Sequence, residues 1–283
     1  MSGLAAPAQA PELSISIVVY QPNLDLLRET LRSLRVALGV ARTAGSISAA
    51  ALTVVDNGSS DAAEVEALLP PWHEGATWLR AQLIRGHGNV GYGRGHDLAI
   101  ERAAGTYHLV LNPDVVLDSS AILEAVRYLE AHPAIGLLTP HVTNATGGRE
   151  WLCKRYPSVL VLALRGFAPA GMRRPFRRLL DRYEMRDLPD DEIATGIPIA
   201  TGCFMFARRA PLQAIGGFSP DYFLYFEDFD LSLRLGRLAE IAYVPQVRIV
   251  HRGGYATRKG WAHRRLFLQS AVTFFRRHGW RLL

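Results

Sequence analysis

The sequence predicts an α/β protein built on a mostly parallel sheet with helices on both faces. Three observations carry this prediction. Through the first half, β-branched runs alternate with apolar segments at helical spacing. Three strand ends, Tyr20-Gln21, Asp56-Asn57 and Asn112-Pro113-Asp114, are polar, as the carboxyl ends of strands around a ligand crevice are. Finally, 283 residues with 49% hydrophobic and 20% charged content suffice for one large domain with its own core.

In chain order, Ser14–Tyr20 (SISIVVY) reads as a first strand and Leu24–Leu38 as a helix. Leu52–Asp56 is a second strand, stopped by the turn-formers Asn57-Gly58-Ser59-Ser60, and Leu79–Arg85 a third. A glycine-rich turn leads to a helix near Asp97–Ala104. Tyr107–Leu111 is a fourth strand, and Ser119 is placed to cap a helix running to about Ala131. Residues 145–198 mix Gly, Pro and Arg with short amphipathic pieces and read as an irregular region. Strand character returns at Gly202–Arg208. Gly216-Gly217 make a turn, an aromatic-acidic run spans Tyr222–Asp230, and a helix follows through Arg237. Ile241–Val244 and Val247–Val250 read as two strands, the second ending at His251.

The net charge of +6 is unevenly spread. Gly236–Leu283 holds ten Lys/Arg against Glu240 alone, and Cys153–Arg182 holds eight against Asp181 alone, so the rest of the chain is acidic. Basic blocks on an acidic body suit a polyanionic partner: nucleic acid, a phosphorylated substrate or an anionic membrane. In the last segment Phe267, Ala271 and Phe274 recur at i, i+4, i+7, as do Leu268, Val272 and Phe275. Arginines flank them, with Trp261 and Trp280 at the ends. Such a helix suits the headgroup layer of a membrane or the side of the domain equally. Two cysteines, Cys153 and Cys203, make no disulfide framework and fit a reducing compartment. The first fourteen residues carry no Lys or Arg and no long apolar core, so no secretory signal is expected. The apolar stretch Ile193–Ala207 is too short and too broken by Gly and Pro to span a bilayer. A cytoplasmic, soluble or membrane-peripheral protein is the expectation.

Several groups are placed to do chemistry. Gly86-His87-Gly88-Asn89-Val90-Gly91 satisfies G-x-G-x-x-G, but on the third strand, which weakens a dinucleotide reading. The glycines suit close backbone approach to a ligand, or a tight turn. Asp114, just past a buried strand, can hold a divalent ion against a diphosphate, or simply start a helix. Glu227 and Asp228 lie among five aromatics, where desolvation raises a carboxylate toward the range of a useful base. The same acids suit a helix N-terminus. His251 ends a strand before Gly253-Gly254, able to reach a metal or phosphate or to pack as an ordinary histidine.

Taken in order, SIVVYQPN, LTVVDNGSSD, GNVGYG, LNPDV, GCFMFARR, GGFSPDYFLYFEDFDLSLR and VHRGG resemble family-2 glycosyltransferases of the GT-A fold, nearest their bacterial rhamnosyltransferase branch. The resemblance covers about residues 14–255. It implies a Rossmann-like nucleotide-sugar-binding domain there, after an N-terminus (1–13) expected to be disordered. Residues 145–198 would face the acceptor, and 256–283 would form a basic amphipathic helix. It implies that Val19, Tyr20, Asp56 and Asn57 clasp the nucleoside, that Asn89 and Gly91 approach the nucleotide, and that Asn112 and Asp114 form the D-x-D-type triplet. Asp114 and His251 would hold Mg²⁺ or Mn²⁺, and Asp228 would be the catalytic base. Glu227, Asp230 and Arg252 are acceptor-side or supporting residues. Two departures stand out: Asn112 replaces the first acid of D-x-D, and His96 replaces a polar residue that is often Asn.

The implied reaction is inverting transfer of L-rhamnose from dTDP-β-L-rhamnose to a glycan or glycolipid acceptor at the inner face of the plasma membrane. It implies an anionic membrane surface as a partner and no nucleic acid. Another donor sugar (galactofuranose or N-acetylglucosamine), a nucleotidyltransferase, and a polyanion-binding module are the alternatives. Only the transferases release a nucleoside diphosphate, and a binding module needs no Asp228.

Overall fold

The computed structural model describes residues 12–253 and 261–283. The expected disordered start, 1–13, lies outside the described residues up to position 11, while Glu12 and Leu13 already belong to the first strand. Positions 256–260 of the expected C-terminal helix also lie outside them. Strands β1 (Glu12–Val19), β2 (Ala49–Asp56), β3 (Leu79–Ile84) and β4 (Tyr107–Leu111) form a parallel half-sheet in the order β3-β2-β1-β4. The helices joining them are α1 (Leu24–Thr43), the short α2 (Ala62–Ala67) and α3 (Leu69–His73), and α4 (Tyr92–Ile100). β1 sits centrally because its β-branched residues are buried on both faces. Leu13, Ile15, Ile17 and Val19 share a core with Leu27, Leu31, Leu34 and Leu38 of α1. α1 starts where Asn23 Oδ1 accepts hydrogen bonds from the Asp25 and Leu26 N–H groups, a cap worth about 1 kcal/mol.

The other face of β1 carries Ser14 and Ser16, and these are bridged by histidines. The two ring nitrogens of His108 lie 2.8 Å from the two hydroxyls, and His96 Nδ1 lies 2.7 Å from Ser16 Oγ. His96 is wholly buried, so it serves this internal chain and does not reach the crevice. α4 begins at Tyr92, not near Asp97, because its glycines are packing residues: a Cβ on Gly93 would lie 2.9 Å from Phe218, and one on Gly95 2.9 Å from Val18.

Beyond β4 come β5 (Val115–Leu117), α5 (Ala121–Ala131) and β6 (Ile135–Asn144). Ser119 does not cap α5. Asp118 instead accepts from the Ser120 N–H and hydroxyl, making an Asx turn before the helix. Residues 145–198 are less irregular than expected. They hold β7 (Arg149–Glu150), β8 (Cys153–Lys154), α6 (Val159–Phe167), α7 (Ala170–Arg173), a 3₁₀ turn (Arg174–Phe176) and α8 (Arg177–Tyr183). β8 pairs with β9 (Ile199–Ala200) in a small second sheet. β10 (Phe204–Arg208) then enters the main sheet antiparallel between β4 and β6, followed by α9 (Arg209–Ala214) and α10 (Glu227–Leu235). The two strands expected near the end are one, β11 (Glu240–His251), parallel to β6. Pro245, which lacks an N–H, shifts the register between Val244 and Arg248 without ending the strand. Both cysteines are buried free thiols.

The last helix, α11 (Trp261–His278), decides between two readings of its apolar stripe. Ala271, Phe274 and Phe275 are buried in a cluster with Leu162 of α6, Tyr222 and Phe226, and Phe267 packs against it. The stripe is therefore core, the second of the two readings that the sequence left open. Leu268 and Val272 stay exposed. After α11 the chain returns to α6, whose first-turn N–H groups of Val159 and Leu160 donate to the Arg281 and Leu282 carbonyls at 2.8 and 3.3 Å. No helix among the described residues is long and apolar enough to cross a membrane.

Candidate active site

The carboxyl ends of β1, β2 and β4 open on one side of the sheet. Val19 and Asp56 end neighbouring strands in register, and the Asn57 N–H donates to the Val19 carbonyl at 2.9 Å. Tyr20 is 57% exposed just beyond. Asp56 is buried, and its Oδ1 accepts from the Ser59 N–H at 2.9 Å, which fixes the turn. Asn57 is also buried and committed internally: Nδ2 donates to the Gly91 carbonyl and Oδ1 lies 3.0 Å from His87 Nε2. Asn89 is exposed, and its Oδ1 accepts from the Gly91 N–H at 3.1 Å. Gly91 has φ +91°, and a Cβ there would stand 2.3 Å from the Phe223 carbonyl oxygen. The glycine turn thus docks the backbone of the aromatic-acidic run, fixed further by the Tyr92 N–H donating to the same carbonyl.

At the end of β4, Asn112 Oδ1 accepts from the Tyr92 hydroxyl at 2.8 Å. That hydroxyl also lies 2.6 Å from the Gly202 carbonyl. Burial, then the Glu227 and Asp228 charges, push the Tyr92 phenol well up, so it stays a donor. Two residues on, Asp114 Oδ1 is buried without a hydrogen-bond partner, 3.4 Å from His251 Nε2. His251 Nδ1 donates to Glu150 Oε2 at 2.9 Å, since a carboxylate can only accept. Burial alone would lower the imidazole, but the Asp114 and Glu150 carboxylates outweigh it and raise it to about 9. Gly253 lies against both groups, where a Cβ would come 1.8 Å from Asp114 Oδ2.

This donor set fits a divalent cation held only in part by protein. Asp114 Oδ1 is an orphaned acid oxygen, His251 Nε2 faces it, and Glu150 fixes the ring from behind, as outer partners of metal-binding histidines do. No group of three or more His, Cys, Asp or Glu side chains suited to a metal occurs among the described residues. Oxygens from a diphosphate and water would complete such a site.

Opposite this corner, Glu227 and Asp228 open α10. They are presented by two non-glycine residues in left-handed conformation, Tyr225 (φ 70°) and Phe226 (φ 66°). Such conformations cost roughly 1–2 kcal/mol each and persist where surrounding packing over-determines them. Here Phe226 is held by Phe229, Phe267 and Phe274, with ring centroids 5.1–5.3 Å apart. Asp228 Oδ2 accepts from the Gly202 N–H and Oδ1 from the Phe229 N–H, both at 2.9 Å, leaving one lone pair on each oxygen. Burial raises both Glu227 and Asp228, and Glu227 Oε2 has no partner. Both acids line a cavity of about 800 Å³ together with Asn112, His251 and Glu150.

Asp114 flanks this cavity through His251. Asp230 does not line it: wholly buried, it pairs with Arg234, His278 and Arg277. The Arg252 side chain turns to Glu29 of α1 at 3.0 Å, and only its backbone N–H serves the site, donating to the Asp114 carbonyl. Sequence reasoning missed Tyr92, Glu150, Trp151, Lys154 and Arg165, all cavity-lining. The available signals were the GNVGYG motif for Tyr92 and, for the others, the basic and aromatic content of the stretch after residue 148.

Solved structures of this architecture are GT-A glycosyltransferases. The mannosyltransferase PcManGT of Pyrobaculum calidifontis, in complex with GDP-Man and Mn²⁺, is similar at TM-score 0.62 and 18% identity, over 95% of this chain and 66% of that one. GalNAc-T7 with UDP, GalNAc and Mn²⁺ is similar at TM-score 0.62 and 14% identity, over 86% and 43%. At these identities the likeness establishes the fold. The chain belongs to glycosyl transferase family 2, whose family model matches residues 14–216. It is thus a glycosyltransferase. An N-acetylglucosaminyl-diphospho-decaprenol L-rhamnosyltransferase of Mycobacterium tuberculosis is 26% identical over 217 residues, 72% of this chain and 67% of that protein. Rhamnosyltransferase WbbL of Escherichia coli is 25% identical over 175 residues, 58% of this chain and 61% of that one.

Proposed function

We propose that the protein transfers L-rhamnose from dTDP-β-L-rhamnose to a hydroxyl of a lipid-linked cell-surface glycan, with inversion at the anomeric carbon. The observation that carries this reading is the placement of Asp228 in the same cavity as Asn112 and His251. One buried base then faces the acceptor, while the strand end and histidine face the leaving group. The names of the rhamnosyltransferase relatives support the donor sugar, and the diphospho-decaprenol in one of them supports the acceptor class.

In this reading Asp56 and Asn57 shape the nucleoside end of the crevice. Asp114 and His251 hold Mg²⁺ or Mn²⁺, which when bound offsets negative charge on the diphosphate. Asp228 takes the proton of the acceptor hydroxyl through its free lone pair. The oxygen bonds to the anomeric carbon as the bond to the diphosphate breaks, its electron pair leaving on the terminal phosphate oxygen. The surrounding aromatics keep bulk water away from the base. The enzyme works on the cytoplasmic face of the membrane that carries its acceptor.

The test is a panel of dTDP-, UDP- and GDP-sugars with a lipid-diphosphate sugar acceptor, following nucleoside diphosphate release and product linkage. Rhamnoside formed from dTDP-rhamnose in α configuration is the expected outcome. Preference for a UDP-sugar overturns the donor, and a retained β configuration overturns the single-base mechanism.

A further inference from the structure

The cavity wall carries cations that the transfer chemistry leaves unused, among them Lys154, Arg165 and Arg264. Lys154, on β8, is 7% exposed and lines the cavity together with Asp228. It donates to the Trp151 carbonyl and forms no ion pair with a described residue. Burying an ammonium group costs several kcal/mol unless an anion compensates it. Burial, with Arg165 and Arg186 nearby and Cys153 and Asp228 opposing them, brings Lys154 down to about 7, so an anion bound beside it would draw it to the charged form. Arg165, from α6, lines the same wall: its guanidinium lies 5.4 Å and the Lys154 ammonium 5.9 Å from the Tyr183 ring centre. Arg165 pairs with Glu184, whereas Lys154 has no ion-pair partner among the described residues and is countered only at longer range, by the Asp228 carboxylate and the Cys153 thiol. Leu162, Phe167 and Phe267 add apolar surface to the cavity.

We propose that Lys154 and Arg165 form a subsite for a phosphate of the acceptor, adjacent to the sugar whose hydroxyl meets Asp228. This inference rests on the transferase reading above. A phosphate there adds close counter-charge to that of Asp228, takes hydrogen bonds from the ammonium protons left free, and meets the planar fork of the arginine. It also fixes which hydroxyl of the adjoining sugar reaches the base, because a ring held at its phosphate end can present only one edge to Asp228. The apolar lining suits the first carbons of a lipid carried on that phosphate.

The experiment uses the full chain with two acceptors bearing the same sugar, one as an alkyl diphosphate and one as an uncharged alkyl glycoside. The wild type is expected to favour the diphosphate in kcat/KM. Lys154→Met should reduce that preference about ten- to a hundredfold, mostly through KM, and weaken equilibrium binding of the diphosphate acceptor in step. Lys154→Arg, which keeps the charge, should restore it. Equal use of both acceptors by the wild type overturns the subsite. So does a Lys154→Met variant that keeps the preference but loses dTDP affinity, which would assign the charge to the donor. If the wild type neither transfers nor hydrolyses any nucleotide sugar, the transferase reading itself fails, a result distinct from those two.

Discussion

Asp230 and His278 lie 48 positions apart in the chain, yet His278 Nε2 is 2.8 Å from Asp230 Oδ1. Arg234 Nε lies 2.6 Å from Oδ2 of the same carboxylate, and Arg277 Nε 3.4 Å from Oδ1. The wholly buried Asp230 therefore locks α11 onto the helix that begins at Glu227 and Asp228. Its role is to hold that helix in place, two residues from the acid that faces the cavity.

Asp230→Asn should consequently act on stability first. Removing one partner of a buried ion pair costs about 3–5 kcal/mol, and here Arg234 and His278 stay buried without their carboxylate while Arg277 keeps Asp221. Urea denaturation of the variant should show this loss, with dTDP binding retained by the folded fraction. A variant of native stability but without activity would instead place Asp230 in the chemistry.

Deleting residues 262–283 should prevent folding and not merely release the protein from membranes. Phe274 and Phe275 are buried against Leu162, Tyr222 and Phe226, and Phe→Ala alone at such a site costs about 3–5 kcal/mol. The check is the solubility and circular dichroism of the truncated chain beside Phe274→Ala. A folded truncation with unchanged melting temperature would contradict the packing.

Asp228→Asn preserves shape and can still accept the Gly202 N–H, while the basic lone pair is lost. Transfer should fall about 10²–10⁴-fold at saturating donor, with dTDP affinity little changed. Glu227→Gln serves as the comparison. If it is the inactive variant and Asp228→Asn works, the base is the neighbouring acid.

Mg²⁺ or Mn²⁺ should tighten dTDP binding, and Asp114→Ala should remove most of that gain. The motive is the orphaned Oδ1 facing His251 Nε2. Calorimetry with metal and with chelator gives the answer, and equal affinities in the wild type would refute metal use.

The buried chain Ser14–His108–Ser16–His96 should contribute acid sensitivity to the fold. Burial lowers His108 to about 3 and His96 well below its ordinary value, while both titrate near 6.5 once unfolded. The unfolded chain therefore binds more protons below about 6.5. The stability contributed by these groups is full above that pH and is lost as pH falls toward 3, at up to about 1.4 kcal/mol per pH unit per histidine. Stability curves between pH 7.5 and 5 should show uptake of about two protons on unfolding from this pair. Asp97, Glu227 and Asp228, whose carboxyls burial raises, take up protons in the fold over the same range. The test is therefore the difference between wild type and His108→Gln, and no difference in pH dependence would mean that the imidazole is charged in the fold.

Much of this was legible in the sequence because strand ends announce themselves. Asp56, Asp114 and His251 each follow an apolar run, and Asp228 is marked by its aromatic company. What remained hidden depends on three-dimensional placement. Glu150 and Lys154 sit on two-residue strands that leave no periodic signal. The left-handed Tyr225 and Phe226 carry none of the Gly or Asn chemistry that advertises such backbone. The α11 stripe was readable as amphipathic, but periodicity says only that a face is covered, never by what.

The return of Arg281 and Leu282 to the start of α6 has a consequence for engineering. The wall opposite Asp228 is assembled from two stretches of chain well separated in sequence, α6 with its neighbours and α11 with its tail, clasped through Phe274, Phe275 and Leu162. They are inherited in space as one part though written in the gene as two. A chimera that borrows either stretch alone from a relative would pair mismatched halves and leave donated phenylalanines without their seats. Exchanging acceptor preference between relatives therefore calls for a double graft.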